Sequence, residues 1–123
     1  DAGFAKVAGV ELTLLDCARY LHKTGGINSV AQITKDIGDK ASPRKLAQAA
    51  SAYENSSVRR LGYLLDLAGH VRQAKALEPF VMQAKTAAAL NPAAKAMIAS
   101  LAEPHEKNSK WKLVINEAVE IDF

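Results

Sequence analysis

The sequence has one cysteine, three histidines and few aromatic residues, and these scarcities exclude several classes of protein. Cys17 has no partner for an intramolecular disulfide, which suits a protein of a reducing compartment. His22, His70 and His105 are far apart and have no cysteine or carboxylate at ligand spacing, so we expect no metal site. The sequence contains no phosphate-binding glycine loop and no G-x-S-x-G motif, so we expect neither a cofactor nor an enzyme.

Long apolar runs and a signal peptide are also missing. No run approaches the ~18 residues that a membrane-spanning helix needs, so we expect a cytoplasmic protein. At 123 residues, we expect one domain that spans residues 1–123. The first residue is Asp1 and not methionine, which leads us to expect a further segment upstream of this chain.

The net charge of +3 is unevenly distributed along the chain. Residues 42–95 carry eight basic and three acidic side chains, whereas residues 1–41 are balanced and residues 96–123 are acidic. A basic middle segment suits nucleic acid or an acidic protein surface, but an ordinary solvated helical exterior has the same pattern. The basic residues are not interleaved with aromatic ones, so single-strand recognition by base stacking is not expected.

Four of these cations are candidates for an interaction surface. Arg44 and Lys45 fall in the first turn of the third predicted helix, where their charge opposes the helix dipole. Arg72 and Lys75 share one face of the fifth predicted helix. A placement that is mildly unfavourable for the helix hints at a contact with an anionic partner.

Apolar residues at helical spacing predict five helices. Glycines mark several of their ends, and Ser42-Pro43 is a strong start signal, with a cap followed by proline at the first helical position. Pro79 should kink the fifth helix or begin a new segment. The predicted helices cover about 10–23 after an N-cap at Gly9, 28–36 after a cap at Asn28 or Ser29, 43–54, 58–69 and 71–84.

The end of the chain alternates with a period of two. Trp111, Leu113 and Ile115 alternate with more polar neighbours, which predicts a strand over about 111–115. A lone strand is not stable, so it must pair with residues 88–90 or with the extended segment expected at 4–8. Residues 91–109 look irregular, with one helical turn around 93–101. We therefore predict a mainly α (α+β) fold, a compact bundle of about five helices with a small antiparallel sheet.

The fourth predicted helix, in the stretch "VRRLGYLLDLAGH" (58–70), is the centre of this bundle. In projection at about 100° per residue, its apolar residues, including Leu61 and Leu65, fill half the circumference, which indicates neighbours on more than one side. Arg59 falls on the opposite stripe with Tyr63, so we expect it to face outward and to be available to a partner. Arg60 falls at the edge of the apolar face, where a structural role is expected.

Two glycines interrupt this helix, seven residues apart. A glycine inside a helix costs about 1 kcal/mol relative to alanine, so Gly62 predicts the close approach of another backbone. Gly69 predicts the end of the helix, because glycine favours the left-handed conformation that follows a helix terminus. We assign structural roles to both, and to Trp111 in the C-terminal strand.

Three segments resemble a known family: "KVAGVELTLLDCARYLHKTGGINSVAQI" (6–33), "SVRRLGYLLDLAG" (57–69) and "WKLVINEAVEID" (111–122). Their order and spacing are similar to the C-terminal domain of AbiEi-type abortive-infection antitoxins, from the bacterial type IV toxin–antitoxin systems. The resemblance extends over nearly the whole chain. Val10 departs from it, because many relatives have proline in that first helical turn.

The resemblance implies a function that spacing alone does not show. It implies an antitoxin in phage defence that counters a nucleotidyltransferase-like toxin without a stable toxin complex and represses its own operon. It also implies an N-terminal winged-helix DNA-binding domain, which this chain lacks. The alternative is a basic accessory DNA-binding module of a transcriptional repressor. The resemblance assigns no residue that neutralises the toxin.

Overall fold

The computed structural model describes residues 2–90 and 106–121, and these residues form helices with a small sheet. The predicted class, mainly α with a small sheet, is confirmed. Short 3-10 turns at Leu21–Thr24 and Gly38–Lys40 follow the first two helices. The described elements are α1 (Ala2–Arg19), α2 (Ile27–Ile37), α3 (Pro43–Ala50), α4 (Asn55–Leu67), α5 (Val71–Met82), β1 (Ala88–Ala89), β2 (Glu106–Asn108) and β3 (Leu113–Ile115).

The segment before Gly9 differs from the prediction, because it is helical and not extended. α1 includes residues 4–8 and kinks at Gly9, where φ is 78° and ψ is 159°. Glycine adopts a positive φ without the steric penalty of a side chain. Just after the kink, the Thr13 hydroxyl donates to the Gly9 carbonyl oxygen over 2.9 Å. Alanine and lysine are good helix formers, and their presence at 4–8 outweighs the expectation of a strand there.

The start of α2 lies earlier than predicted. Gly26 is its N-cap, with a φ of 92°, and Ile27 is the first helical residue, so neither Asn28 nor Ser29 is the cap. Asn28 Oδ1 instead accepts a hydrogen bond from the backbone N–H of Glu120 over 2.8 Å. The C-terminal segment after β3 is thereby held against the first turn of α2.

The start of α3 confirms the cap prediction. The Ser42 side chain accepts a hydrogen bond from the Lys45 backbone N–H over 3.4 Å, and Pro43 occupies the first turn. The Ser42 N–H also donates to Glu11 Oε2 over 2.8 Å, which ties this turn to α1. α3 ends at Ala50, four residues before its predicted end.

α4 lies at the centre of the helical region, where it packs against α1, α2 and α5. Leu61 and Leu65 are fully buried, in agreement with the helical projection. Leu67 lies in the last turn of α4 and is 40% exposed. The largest fully buried side chains of the core are Trp111, Leu14, Leu15, Ile27, Leu46, Leu61, Leu64, Leu65, Leu77, Leu90, Leu113 and Val30.

α4 ends in a left-handed turn at Gly69, where φ is 86°. The Gly69 N–H donates to the Asp66 carbonyl over 3.1 Å, and the His70 N–H donates to the Leu65 carbonyl over 2.9 Å. This pair of bonds is the Schellman motif, in which glycine satisfies the last carbonyls of a helix. The turn reverses the chain so that α5 packs back against α4.

Pro79 does not start a new segment, because α5 continues through it to Met82. Proline has no N–H to donate, so the helical bond from residue 79 to the carbonyl of residue 75 is absent, although the helix continues. The Asn55 side-chain amide donates to the Phe80 carbonyl over 2.7 Å. This bond joins the start of α4 to the end of α5.

The sheet has three strands in the order β1-β3-β2 and is mixed, not purely antiparallel. β1 is parallel to β3, with Ala88 opposite Leu113, whereas β2 is antiparallel to β3, with Asn108 also opposite Leu113. The predicted strand at 88–90 is confirmed, and β3 begins two residues later than predicted. β2 was missed, since it falls in the segment expected to be irregular. The helical turn expected at 93–101 lies outside the described residues.

Candidate functional site

Arg59 lies beneath the sheet, so the prediction that it faces outward is wrong. Its side chain is only 5% exposed. One guanidinium nitrogen, Nη1, donates to the Lys112 carbonyl over 2.6 Å and to the Thr86 carbonyl over 3.4 Å, and Nε donates to Asn55 Oδ1 over 2.8 Å. The segments that precede β1 and β3 cover the stripe of α4 that the isolated helix would leave in water.

Arg60 is buried as well, with 7% of its surface exposed. Its Nε donates to the Ala89 carbonyl of β1 over 3.0 Å, and Nη1 lies 3.5 Å from Ser56 Oγ. Desolvation lowers the pKa of Arg60, and the positive charge of Arg59 lowers it further. Within residues 2–90 and 106–121, neither arginine has a carboxylate at ion-pair distance. Backbone carbonyls therefore solvate both buried charges.

Gly62 accommodates the indole ring of Trp111. A Cβ at this position would overlap the ring, with Trp111 Cε3 only 2.7 Å away. The prediction that another backbone approaches Gly62 is therefore wrong, because the group in close contact is an aromatic side chain. Trp111 is fully buried, and its Nε1–H donates to Asp66 Oδ2 over 2.7 Å. Lys110 Nζ lies 2.8 Å from the same carboxylate oxygen. The Asp66 side chain of α4 therefore binds two residues of the β2–β3 hairpin, Lys110 and Trp111.

The other four predicted surface cations remain exposed: Arg44, Lys45, Arg72 and Lys75. None of them forms an ion pair with another described residue. α3 and α5 pack together, and the Gln73 side chain donates to the Ala41 carbonyl over 3.0 Å, which joins the two helix starts. The structure therefore places these cations on two adjacent helices and separates Arg59 from them by burial.

A cluster at the end of α1 was not predicted from the sequence. Tyr53 follows α3 and packs partly buried against the core, and its hydroxyl donates to Asp16 Oδ1 over 2.5 Å. The guanidinium carbon of Arg19 lies 5.1 Å from the centre of the Tyr20 ring and 5.9 Å from that of Tyr53. Burial and the hydrogen bond to Asp16 raise the pKa of Tyr53 to about 12.

The polar side chains of the described residues do not form a metal-binding group of histidine, cysteine and carboxylates. His70 Nε2 donates to the Lys35 carbonyl over 2.8 Å. Cys17 is half-buried, and burial, with a further contribution from Asp16, raises the pKa of its thiol. A raised pKa keeps the thiol protonated and a poor nucleophile at neutral pH.

These features define a helical domain whose central helix is tied to a small sheet by buried cations. The sequence matches the model of the AbiEi antitoxin C-terminal domain over residues 1–67, more than half of the chain. The chain therefore belongs to the AbiEi antitoxin C-terminal domain family, which supports an antitoxin or regulatory role within a toxin–antitoxin system. The matched region ends at Leu67, the last residue of α4. No curated protein and no solved structure matches the chain.

Proposed function

We propose that this chain is a single antitoxin domain, spanning residues 1–123, that counters a nucleotidyltransferase-like toxin. It acts without catalysis and without a stable toxin complex, and it supports repression of its own operon in the cytoplasm. A winged-helix domain upstream supplies the main operator contact. The family match over α1–α4 is the observation that supports this proposal.

A growth assay tests this function directly. The chain is expressed together with the toxin encoded beside it, and colony formation is compared with cells that carry the toxin alone. We expect rescue by the chain itself. The matched control is Leu61→Ala, which removes a fully buried side chain and should lose rescue through unfolding. Growth that stays arrested with a folded and abundant chain would contradict the antitoxin role.

A second candidate function is that of an accessory DNA-binding module. The observation that favours it is a set of exposed cations on two adjacent helices that form no ion pair with a described residue: Arg44, Lys45, Arg72 and Lys75. Cations of this kind contact DNA phosphates, and each contact steepens the fall of affinity with salt.

Charge reversal separates the two candidates. Arg44→Glu combined with Lys75→Glu should weaken DNA binding and flatten its salt dependence if these helices contact DNA. Arg19→Glu combined with Lys23→Glu makes the same charge change on exposed residues of α1 and its following turn, and controls for net charge. Rescue that is lost while DNA affinity is unchanged would contradict the DNA-binding candidate.

A further inference from the structure

A second basic feature lies on the sheet side of the molecule and is lined by other cations than those of α3 and α5. It is a cavity of about 190 Å³ between the segment that precedes β1 and the β2–β3 hairpin. Lys85, Lys107 and Lys112 line this lysine cavity together with the hydroxyl-bearing residues Thr86 and Ser109. Among the described residues that line it, none is acidic, and the apolar residues Ala87 and Leu113 complete the lining. The cavity therefore offers three cations and two hydroxyl groups as hydrogen-bond donors.

No carboxylate of a described residue forms an ion pair with the lysines of this cavity. Lys85 and Lys107 are exposed, and neither has an ion-pair partner within the described ranges. Lys112 Nζ donates one hydrogen bond, to the Ala84 carbonyl over 2.9 Å, which fixes its position and leaves two further protons. The hydroxyls of Thr86 and Ser109 make no hydrogen bond with any described residue.

The buried cation Arg59 lies next to the backbone that lines the lysine cavity. The Arg59 guanidinium donates to the carbonyl oxygens of Thr86 and Lys112, two residues that line the cavity. It therefore fixes the backbone of both sides of the cavity and adds a fourth positive charge that no described carboxylate balances. Because Arg59 is buried, water screens its positive charge less than it screens an exposed charge, which favours an anion nearby.

The geometry points to a phosphate group as the ligand: we propose that the lysine cavity binds a phosphate, from a free phosphate compound or from a nucleic-acid backbone. Lysine is a common phosphate ligand, and charge-assisted hydrogen bonds to phosphate oxygens are short and strong. A water molecule accounts for roughly 30 Å³ of the liquid, so the cavity has room for a tetrahedral anion. Phosphate binding here is independent of the antitoxin role proposed above.

Calorimetric titration of the whole chain with pyrophosphate tests this site. We expect saturable binding that weakens at least about tenfold in Lys85→Gln combined with Lys107→Gln. Lys23→Gln combined with Lys40→Gln removes the same charge from exposed positions in the two 3-10 turns and should bind pyrophosphate as the unchanged chain does. Circular dichroism confirms that each variant is folded. Absence of saturable binding, or equal weakening by the two pairs, would overturn the proposal.

A competition experiment identifies the source of the phosphate. A short random-sequence DNA duplex is added to the pyrophosphate complex at low salt. Displacement of pyrophosphate, together with weaker duplex binding by the Lys85 and Lys107 variant, assigns the site to a nucleic-acid backbone. Pyrophosphate that stays bound at saturating duplex assigns it to a free phosphate compound.

Discussion

α4 packs against other helices on one side and against the sheet on another, and these two interfaces consist of different kinds of contact. Towards α1 and α2, α4 presents fully buried leucines, and the interface is apolar. Towards the sheet it presents Arg59, Arg60 and Asp66, whose side chains bond to backbone carbonyls and to the Trp111 indole. The apolar interface is tolerant of small repacking, whereas the polar one depends on individual donors and acceptors.

The family match includes α4 and the helices before it, but not the sheet that forms the polar interface of α4. The match stops with α4 at residue 67, so it contains Arg59 and Arg60 but not the β1 and β3 segments to which they bond. The matched region alone would leave these two arginines without their backbone carbonyl acceptors and with only the side-chain oxygens of Asn55 and Ser56.

The largest expected effect is on the apolar side of α4. Leu61→Ala should lower the free energy of unfolding by roughly 2–5 kcal/mol, because it leaves a cavity at a fully buried site. The measurement is the midpoint of urea unfolding followed by circular dichroism. Leu67→Ala is the matched control at a position that is 40% exposed, and its loss should be clearly smaller. Equal losses would show that the core face of α4 is misassigned.

The next effect concerns the contact between α4 and the hairpin. Gly62→Ala should lower the free energy of unfolding by about 1–3 kcal/mol, because its Cβ would overlap the Trp111 ring. The test is a double-mutant cycle with Trp111→Leu, since the smaller side chain relieves the overlap. In the Trp111→Leu background, Gly62→Ala should have little effect or become stabilising. A penalty that is the same in both backgrounds would contradict direct contact.

A smaller effect is expected at the start of α3. Ser42→Ala should cost about 1 kcal/mol, because it removes the cap of the Lys45 N–H. Ser51→Ala, at the other end of the same helix and exposed, is the control and should change stability less. Both are measured by thermal unfolding. A larger loss of stability in Ser51→Ala than in Ser42→Ala would contradict a stabilising cap at Ser42.

The least effect at neutral pH concerns Tyr53. Its pKa is raised from 10 to about 12 in the folded chain, so the unfolded chain ionises first as the pH rises. Stability should therefore fall between pH 10 and about 12, and Tyr53→Phe should remove this part of the fall. Urea midpoints of both proteins below pH 10 and within that window test this. The same pH dependence in both would show that Tyr53 titrates normally.

Much of the helical region can be predicted from the sequence, because its signals are local. The cap at Ser42 with Pro43 and the spacing of buried leucines in α4 depend on near neighbours alone. Fold class and family resemblance follow from the same local patterns. The segment before Gly9 shows the limit, since short segments rich in alanine suit several conformations.

The sheet side could not be predicted in the same way, because its contacts join residues far apart in the chain. Arg59 bonds to a carbonyl 53 positions away. A helical projection assigns any charged residue opposite the core to water, since it contains no information about what covers that stripe. The parallel pairing of β1 with β3 and the lysine cavity depend on the same long-range docking.

The central structural claim is that the arginines of α4 stabilise the fold whereas the cations of α5 lie free on the surface. Urea unfolding of Arg59→Ala and Arg72→Ala tests this most directly. We expect Arg59→Ala to lose about 1.5–3 kcal/mol, because its charged hydrogen bonds to the sheet segments are removed. We expect Arg72→Ala, at an exposed position, to change stability by less than about 0.5 kcal/mol. Equal midpoints for the two variants would contradict the claim.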